Sequence, residues 1–367
     1  MNGLFIAPYR QNDGWGLAAT DYLEAINTQI QNLSARPIYY VNNYATTVSD
    51  TVLNCENKFF KEYDIVFQKC LPHSMTIDKS IKKNVGITML ETNNIAKSMS
   101  VLNMNGMDEI CVPSNQEAKT LKHSGVTTNI KVISQPINTD LFKKNKNSKI
   151  TFNSLIDNTF KFYTIAEFVE RKNLFDLVAA FRLAFSNLDN VSLIIKTNAD
   201  SKQLLAQFNK LKQNMGTHKH QKQEIIISDR LTDVDMIGLH NACDCFVLPS
   251  YGESFCRPAA EALVLGKTPI VTDNTGMTDF INNDNGFLIR SKKCPVITEQ
   301  KTLSDAFDIY NAHEHWYRPD IYHLIENMQK IYTMHKKDKQ SYTKKQELGI
   351  NSIDQFSYEN IGKKICG

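Results

Sequence analysis

Residues 249–279, PSYGESFCRPAAEALVLGKTPIVTDNTGMTD, decide how this chain is read. An apolar run, CDCFVLPS at 243–250, leads into them and has the length and composition of a buried strand. The polar loop that follows holds Gly252 and Glu253. A helix is predicted over 258–265, because proline suits a first helical turn. The backbone N–H groups of Ser254, Phe255, Cys256 and Arg257 then gather at a helix N-terminus, a ready anion site. Glu261 lies one turn inside the helix, where it can accept hydrogen bonds from a ligand's hydroxyls. Two carboxylates bracketing an anion site point to a ligand with both phosphate and sugar hydroxyls. Taken alone, both acids read equally well as solvated helix-start residues. The loop's position at the carboxyl end of a predicted parallel strand favours the ligand, since open α/β sheets bind there.

Working outward, strands are predicted at 160–168, 191–196, 224–228 and 268–272, with helices at 173–185, 201–215 and 233–241 between them. The N-terminal part repeats the alternation. A buried strand at 3–8 is followed by the loop QNDGWG, an amphipathic helix at 17–30 and a strand PIYYV at 37–41, a βαβ unit. Further strands are expected at 64–67, 85–90, 109–113 and 130–134. A helix at 115–123 is expected to be capped by Ser114, with Glu117 three residues on. The polar run KKNKNSK at 143–149 reads as a solvated linker, and everything from 301 reads as helical with Lys-rich faces. The fold class is α/β, two consecutive doubly wound Rossmann-like domains.

Composition agrees. The chain has 367 residues, 42% hydrophobic and 22% charged, enough apolar material for two cores and too much for a disordered chain. Its net charge of +3 does not suggest nucleic acid as the main partner. Eight cysteines without a Cys-x-x-Cys pair suggest reduced, buried thiols and a cytoplasmic setting. No apolar run reaches membrane-spanning length, and the start, MNGLFIAPYR, lacks the features of a secretion signal.

The segment PSYGESFCRPAAEALVLGKTP resembles the donor-site signature of retaining GT-B glycosyltransferases of family four: proline-serine, a Glu, seven residues, Glu-Ala, then Gly-Lys before a strand. The resemblance implies that Glu253 faces the donor sugar and Glu261 bonds the nucleotide ribose. NTGMTDFI resembles the small-residue turn lining the sugar pocket, here Thr275, Gly276 and Met277, with Asp279 where the family commonly has Glu. IAEFVERKNLFDLVAAF at 165–181 is similar to the segment carrying the family's basic pair for the diphosphate. Lys172 matches the family lysine. Glu167 stands where the family arginine usually lies, and Arg171 is the candidate to supply the second positive charge. VGITMLETNN (85–94), NMNGMDEICVPSNQEAKTLKHSGV (103–126) and IKVISQPINTDLF (130–142) resemble the acceptor-side half, and SIDQFSYENIGKKI (352–365) the terminal helix that crosses back to it.

The resemblance thus implies a GT-B architecture with its two domains facing a central cleft. An acceptor-side domain is expected at 1–142, a linker at 143–159, a nucleotide-sugar-binding domain at 160–340 and a C-terminal crossing helix at 341–367. The implied reaction is metal-independent transfer of a hexose-type unit, with retention, from a nucleotide-diphosphate sugar to an acceptor hydroxyl. No cofactor or metal is expected. The donor's base and sugar, the acceptor and the linkage stay open.

Other residues have two readings each. Gly14-Trp15-Gly16-Leu17-Ala18-Ala19 fits Gly-x-Gly-x-x-Ala, but no acid ends the second predicted strand, which disfavours a nicotinamide oxidoreductase. Gly14 and Gly16 then serve as a wall that lets a phosphate or sugar approach, or simply as a tight turn. His73, just past the strand at 64–67, is a candidate catalytic residue for a sugar hydroxyl, with Gln68 and Lys69 competing for that register. Glu91 is a candidate acceptor-side carboxylate. Asp233-Val234-Asp235 reads as helix-opening residues rather than a metal pair, and His218, His220, His313 and His315 as loop and surface residues. The basic stretch HKKDKQSYTKK at 335–345 reads as a solvated helix face, with peripheral membrane contact as the other possibility. A non-catalytic nucleotide-sugar-binding module and a nucleotide-sugar epimerase remain alternative functions.

Overall fold

The computed structural model describes all residues except 41, 43, 46, 96, 97, 151–157, 218–222, 297–313 and 353. The candidates His218, His220 and His313 lie outside the described residues, as does most of the stretch just after 301. Two compact units result. The first takes in Met1–Asp140, Ile309–His315 and Asp354–Gly367, the second Leu141–Asp308 and Trp316–Ile353.

The first unit is built on a six-stranded sheet of β1 (Asn2–Ala7), β2 (Asn32–Pro37), β3 (Ile65–Lys69), β4 (Lys83–Ile87), β5 (Glu109–Val112) and β6 (Asn129–Val132). Its order is β2-β1-β3-β4-β5-β6 and every pairing is parallel. Chain order reverses between β1 and β3; the loop after β1 leads into a helix whose first turn carries Gly14 and Gly16, and a short turn after β3 carries His73. The second strand is not PIYYV. NLSARP pairs with β1 from Asn2↔Asn32 to Ala7↔Pro37. Leu33 and Ala35 fill the core, while Ser34 is satisfied by the Lys58 carbonyl at 2.9 Å. A run without a strong β-former wins because Leu33, Ser34 and Ala35 fit fully buried in the core, and tertiary fit overrides propensity.

The helix Gly14–Asn27 opens on Asp13, whose carboxylate accepts from the N–H groups of Trp15 and Gly16 at 2.9 and 3.0 Å. A Cβ on Gly16 would stand 1.7 Å from the Gln11 carbonyl oxygen, so this glycine is required by its own turn. Gly14 has nothing within 4 Å of such a Cβ. The last helix, Tyr358–Cys366, packs on Gly14–Asn27: Gly362 sits against the Ala25 carbonyl, and Tyr358 donates to Asp21 at 2.6 Å. The preceding helix, Lys339–Asn351, stays with the second unit, where Gly349 abuts Leu263. Residues 341–367, expected as one crossing helix, thus comprise two helices that belong to different units.

The second unit repeats the plan with β7 (Phe160–Ile165), β8 (Val191–Lys196), β9 (Gln223–Ile227), β10 (Cys245–Leu248), β11 (Ile270–Thr272) and β12 (Phe287–Ile289). Their order is β12-β11-β10-β7-β8-β9, again parallel. Phe162, Leu193, Ile195, Val247, Leu177, Phe181, Met328 and Ile331 form one buried cluster. Truncating Phe162 to alanine in such a core costs about 3–5 kcal/mol. Residues expected to be helical include a strand: His315–Pro319 pairs with Ser291–Pro295 as a separate ribbon, β13 and β14 in reverse order of mention. Its buried residues are Trp316 and Pro319, three positions apart, so the strand lacks a clean alternation of buried and exposed side chains. All eight cysteines are free thiols, six of them buried. No described helix is long and apolar enough to cross a membrane.

Candidate active site

In the second sheet the chain order reverses between β7 and β10, the place where open α/β sheets bind ligands. Two loops leave the carboxyl ends of these strands, one with Arg171 and Lys172, the other with Glu253. They are tied together by backbone and side chain. The Tyr251 N–H donates to the Arg171 carbonyl at 2.8 Å, and Asn173 Nδ2 donates to the Pro249 carbonyl at 3.1 Å. Asn173 holds φ = 55°, a left-handed conformation that asparagine tolerates better than most residues, and so reverses the chain right after Lys172.

This scaffold puts two cations on one carboxylate oxygen. Arg171 Nη1 lies 2.9 Å and Lys172 Nζ 2.7 Å from Glu253 Oε1, and the same Arg171 nitrogen donates to the Gly252 carbonyl at 2.6 Å. Oε2 accepts no hydrogen bond from a described residue. Glu253 is only 8% exposed. Burial pushes its carboxyl up, but Lys172 and Arg171 more than offset this and hold it below the ordinary glutamate range. Glu167, by contrast, is exposed. The Gly276 N–H donates to the Glu253 carbonyl at 2.7 Å, which brings the turn Thr275–Gly276–Met277 to the same loop. Thr275 hydroxyl is turned to the Thr272 carbonyl at 3.0 Å, and Thr275 and Met277 are buried.

The helix after the loop spans Arg257–Val264 and begins without a side-chain cap. Its N-cap, Cys256, has φ = 69°, a left-handed conformation costing a non-glycine residue about 1–2 kcal/mol. Such strain is retained where the surroundings fix it, often at functional sites. Ser254, Phe255 and Cys256 are all buried, with Phe255 packed on Phe280 at 5.0 Å between ring centroids. Glu261 is 6% exposed. Its Oε1 meets Arg257 Nε at 2.7 Å, an i,i+4 pair on one helix face, and His240 Nε2 lies 3.5 Å from Oε2. Burial pushes the Glu261 carboxyl up, while Arg257 and His240 outweigh it, so this acid also lies below its ordinary range.

Among the sequence candidates, Arg171, Lys172, Glu253 and Gly276 are thus directly bonded to one another, and Glu261 sits a helical turn away. Gly14, Gly16 and His73 belong to the first unit. His73 occupies a short turn, Pro72–Ser74, where its carbonyl accepts from Asn103 Nδ2 at 3.0 Å. Asp235 closes a capping box with Thr232, as expected of helix-opening acids. Sequence reading missed three residues. The Arg257–Glu261 spacing was a visible signal. Asn173 and His240 gave none, because each acts across more than twenty residues of sequence. Lys69, the competitor of His73 for the place after the strand at 64–67, is fully buried with Nζ 4.0 Å from the Trp15 ring centroid and 3.4 Å from the Trp15 carbonyl.

Comparison with known proteins places this geometry. The family described as Glycosyl transferases group 1 matches residues 146–299. The chain is 23% identical over 203 residues to the capsular polysaccharide biosynthesis glycosyltransferase CapM of Staphylococcus aureus, a match that covers 51% of each chain. It therefore spans about half the length of that relative. Among solved structures it resembles Anabaena Alr3699/HepE in complex with UDP and glucose, with a TM-score of 0.62 and 13% identity over 100% of this chain and 98% of that one. It also resembles sucrose-phosphate synthase from Thermosynechococcus elongatus, with a TM-score of 0.68 and 12% identity over the same shares. Residues 146–299 are therefore a glycosyl transferases group 1 domain, and the two parallel six-stranded sheets of the chain have the GT-B fold.

Proposed function

We propose that this protein transfers a hexosyl unit from a nucleotide-diphosphate sugar to an acceptor hydroxyl, with retention of configuration and without a metal ion. The observation that carries the reading is the meeting of Arg171 and Lys172 on Glu253 at the switch point of the second sheet. In the reaction the bond from the sugar C1 to the β-phosphate oxygen breaks and its electron pair stays on that oxygen. The developing negative charge needs preorganised cations and dipoles, and Arg171, Lys172 and the uncapped helix N-terminus at 256–258 supply them. The acceptor oxygen bonds to C1 from the face the phosphate leaves, and its proton passes to the departing phosphate oxygen. Glu253, with Oε2 open, faces sugar hydroxyls; the turn at Thr275 and Gly276 lines the sugar, Ser254, Phe255 and Cys256 line the phosphate side, and Glu261 receives the ribose. His73, with Gly14 and Gly16, is assigned to the first unit's share of binding.

Arg171 reaching Glu253 supports catalysis over a degenerate binding module, because the second cation missing at Glu167 is supplied from within the same loop. Eight free thiols favour a cytoplasmic setting. The test is release of free nucleotide diphosphate from UDP-, GDP- or ADP-hexoses by purified protein in excess EDTA. Release in the chelator is expected for at least one donor. Release only on addition of manganese or magnesium contradicts the metal-free step, and no release under either condition, with an acceptor panel included, contradicts the enzyme.

A further inference from the structure

Glu261 is backed by two groups that the donor-site reading does not use. Tyr163, on β7, and His240, on the helix Asp233–Ala242, are both fully buried. Tyr163 Oη lies 2.7 Å from His240 Nδ1, and the rings meet edge to face at 5.4 Å. Burial pushes the Tyr163 phenol well above its ordinary range, so it keeps its proton and can donate it to Nδ1. The ring hydrogen then belongs on Nε2. That nitrogen faces Glu261 Oε2 at 3.5 Å, a loose contact, and has no closer partner among the described residues. Arg257 addresses the other oxygen. A carboxylate has about four acceptor positions, so Glu261 keeps one on each oxygen after these two partners are counted. Two open positions on one carboxylate match two neighbouring hydroxyls.

A phenol and an imidazole buried in series cost desolvation that apolar side chains of the same volume would avoid. What they add is direction. Without Nε2 behind Oε2, the carboxylate is fixed by Arg257 alone and can swing about that contact.

We propose that His240, oriented by Tyr163, is a positioning residue that sets the plane of the Glu261 carboxylate for two vicinal hydroxyls of a nucleoside ribose. The inference rests on the donor-site reading above. It makes ribose discrimination, rather than phosphate binding, the property that these buried groups control.

The experiment is calorimetric titration of UDP, GDP and ADP, and of their 2′-deoxy counterparts, into wild type, Tyr163→Phe, His240→Leu and His240→Gln. Wild type is expected to prefer the ribose form of the nucleotide it binds by about tenfold or more, the worth of one charge-assisted hydrogen bond. His240→Leu should bring that ratio towards one and Tyr163→Phe should lower it severalfold. His240→Gln, which carries an N–H within reach of Glu261, should restore part of it. A merely structural role would lower both affinities together and leave the ratio unchanged, and an unchanged ratio in Tyr163→Phe and His240→Leu overturns the proposal. Tyr163→Phe is nearly isosteric, so it decides the matter if the leucine variant does not fold. Wild type binding a nucleotide with no ribose preference also overturns it. If none of the three nucleotides binds wild type, the donor-site reading itself fails, and this inference with it.

Discussion

Replacing Glu253 by glutamine removes a negative charge shared by Arg171 and Lys172, and this change has two opposite effects. In the unliganded protein, both cations lose a counter-ion at 2.9 and 2.7 Å. Breaking a fully buried ion pair costs about 3–5 kcal/mol. Here the cationic side chains keep 13% and 15% exposure, so water can partly replace the carboxylate, and a cost of about 2 kcal/mol is more reasonable. A nucleotide diphosphate brings its own negative charge to the same cations. Its binding therefore repairs the variant more than it helps wild type, and mass action turns that into a larger thermal shift. Bare nucleotide diphosphate should bind Glu253→Gln at least as tightly as wild type. Turnover should fall far more, because the contact proposed between Glu253 and the sugar is of the kind that strengthens in the transition state. Glu261→Gln should do the reverse, weakening the bare nucleotide by about 1.5–3 kcal/mol, roughly ten- to hundredfold in Kd, with a smaller effect on kcat. Calorimetry and initial rates on both variants separate the cases. If Glu253→Gln weakens bare nucleotide as much as Glu261→Gln does, the division of labour between the two acids is refuted.

Cys256 and Lys69 give two further expectations. At φ = 69°, Cys256→Gly should relieve about 1–2 kcal/mol of backbone strain against the loss of a small buried side chain, leaving stability within about 1 kcal/mol of wild type, whereas β-branched Cys256→Val should lose at least about 2 kcal/mol in urea unfolding; equal effects of the two would show that the left-handed conformation is not strained. Burial pushes the Lys69 ammonium down to about 7, while in the unfolded chain it titrates near about 10.4. Between those values the unfolded state holds a proton that the folded state lacks, so this residue makes stability rise with pH across that window. Lys69→Met should flatten the rise and stabilise the protein most at about neutral pH, with the difference shrinking towards about pH 10; parallel stability profiles for the two proteins would refute it.

The fold was legible because its evidence is local. Apolar runs of strand length alternate with stretches of helical period, and Pro258 and Ser114 mark helix starts that the structure contains. PIYYV misled because five apolar or aromatic residues outscore NLSARP on propensity, while the sheet selected the segment whose small side chains fit beside β1. The strand His315–Pro319 was missed because its buried residues, Trp316 and Pro319, lie three apart, a spacing that does not distinguish a strand from a helix. Within the site, Glu253 and Glu261 stood out through their spacing in one segment, and Arg171 and Lys172 through their position after a predicted strand. The bonds that join them depend on β7 lying next to β10, which no local pattern states. His240 shows the limit most clearly. As a lone histidine in an apolar helix it carries no signal, and its meaning comes from Tyr163 and Glu261, brought beside it by two other elements.

The most direct test of the account is titration of UDP, GDP and ADP into wild type and into the double variant Arg171→Met, Lys172→Met. The account predicts that at least one nucleotide binds wild type and that the double variant weakens it by at least about tenfold, since each charge-assisted hydrogen bond to phosphate is worth about 1.5–3 kcal/mol. Undiminished affinity in a folded double variant, or no binding by wild type at millimolar nucleotide, would contradict a donor site built on Arg171, Lys172 and Glu253.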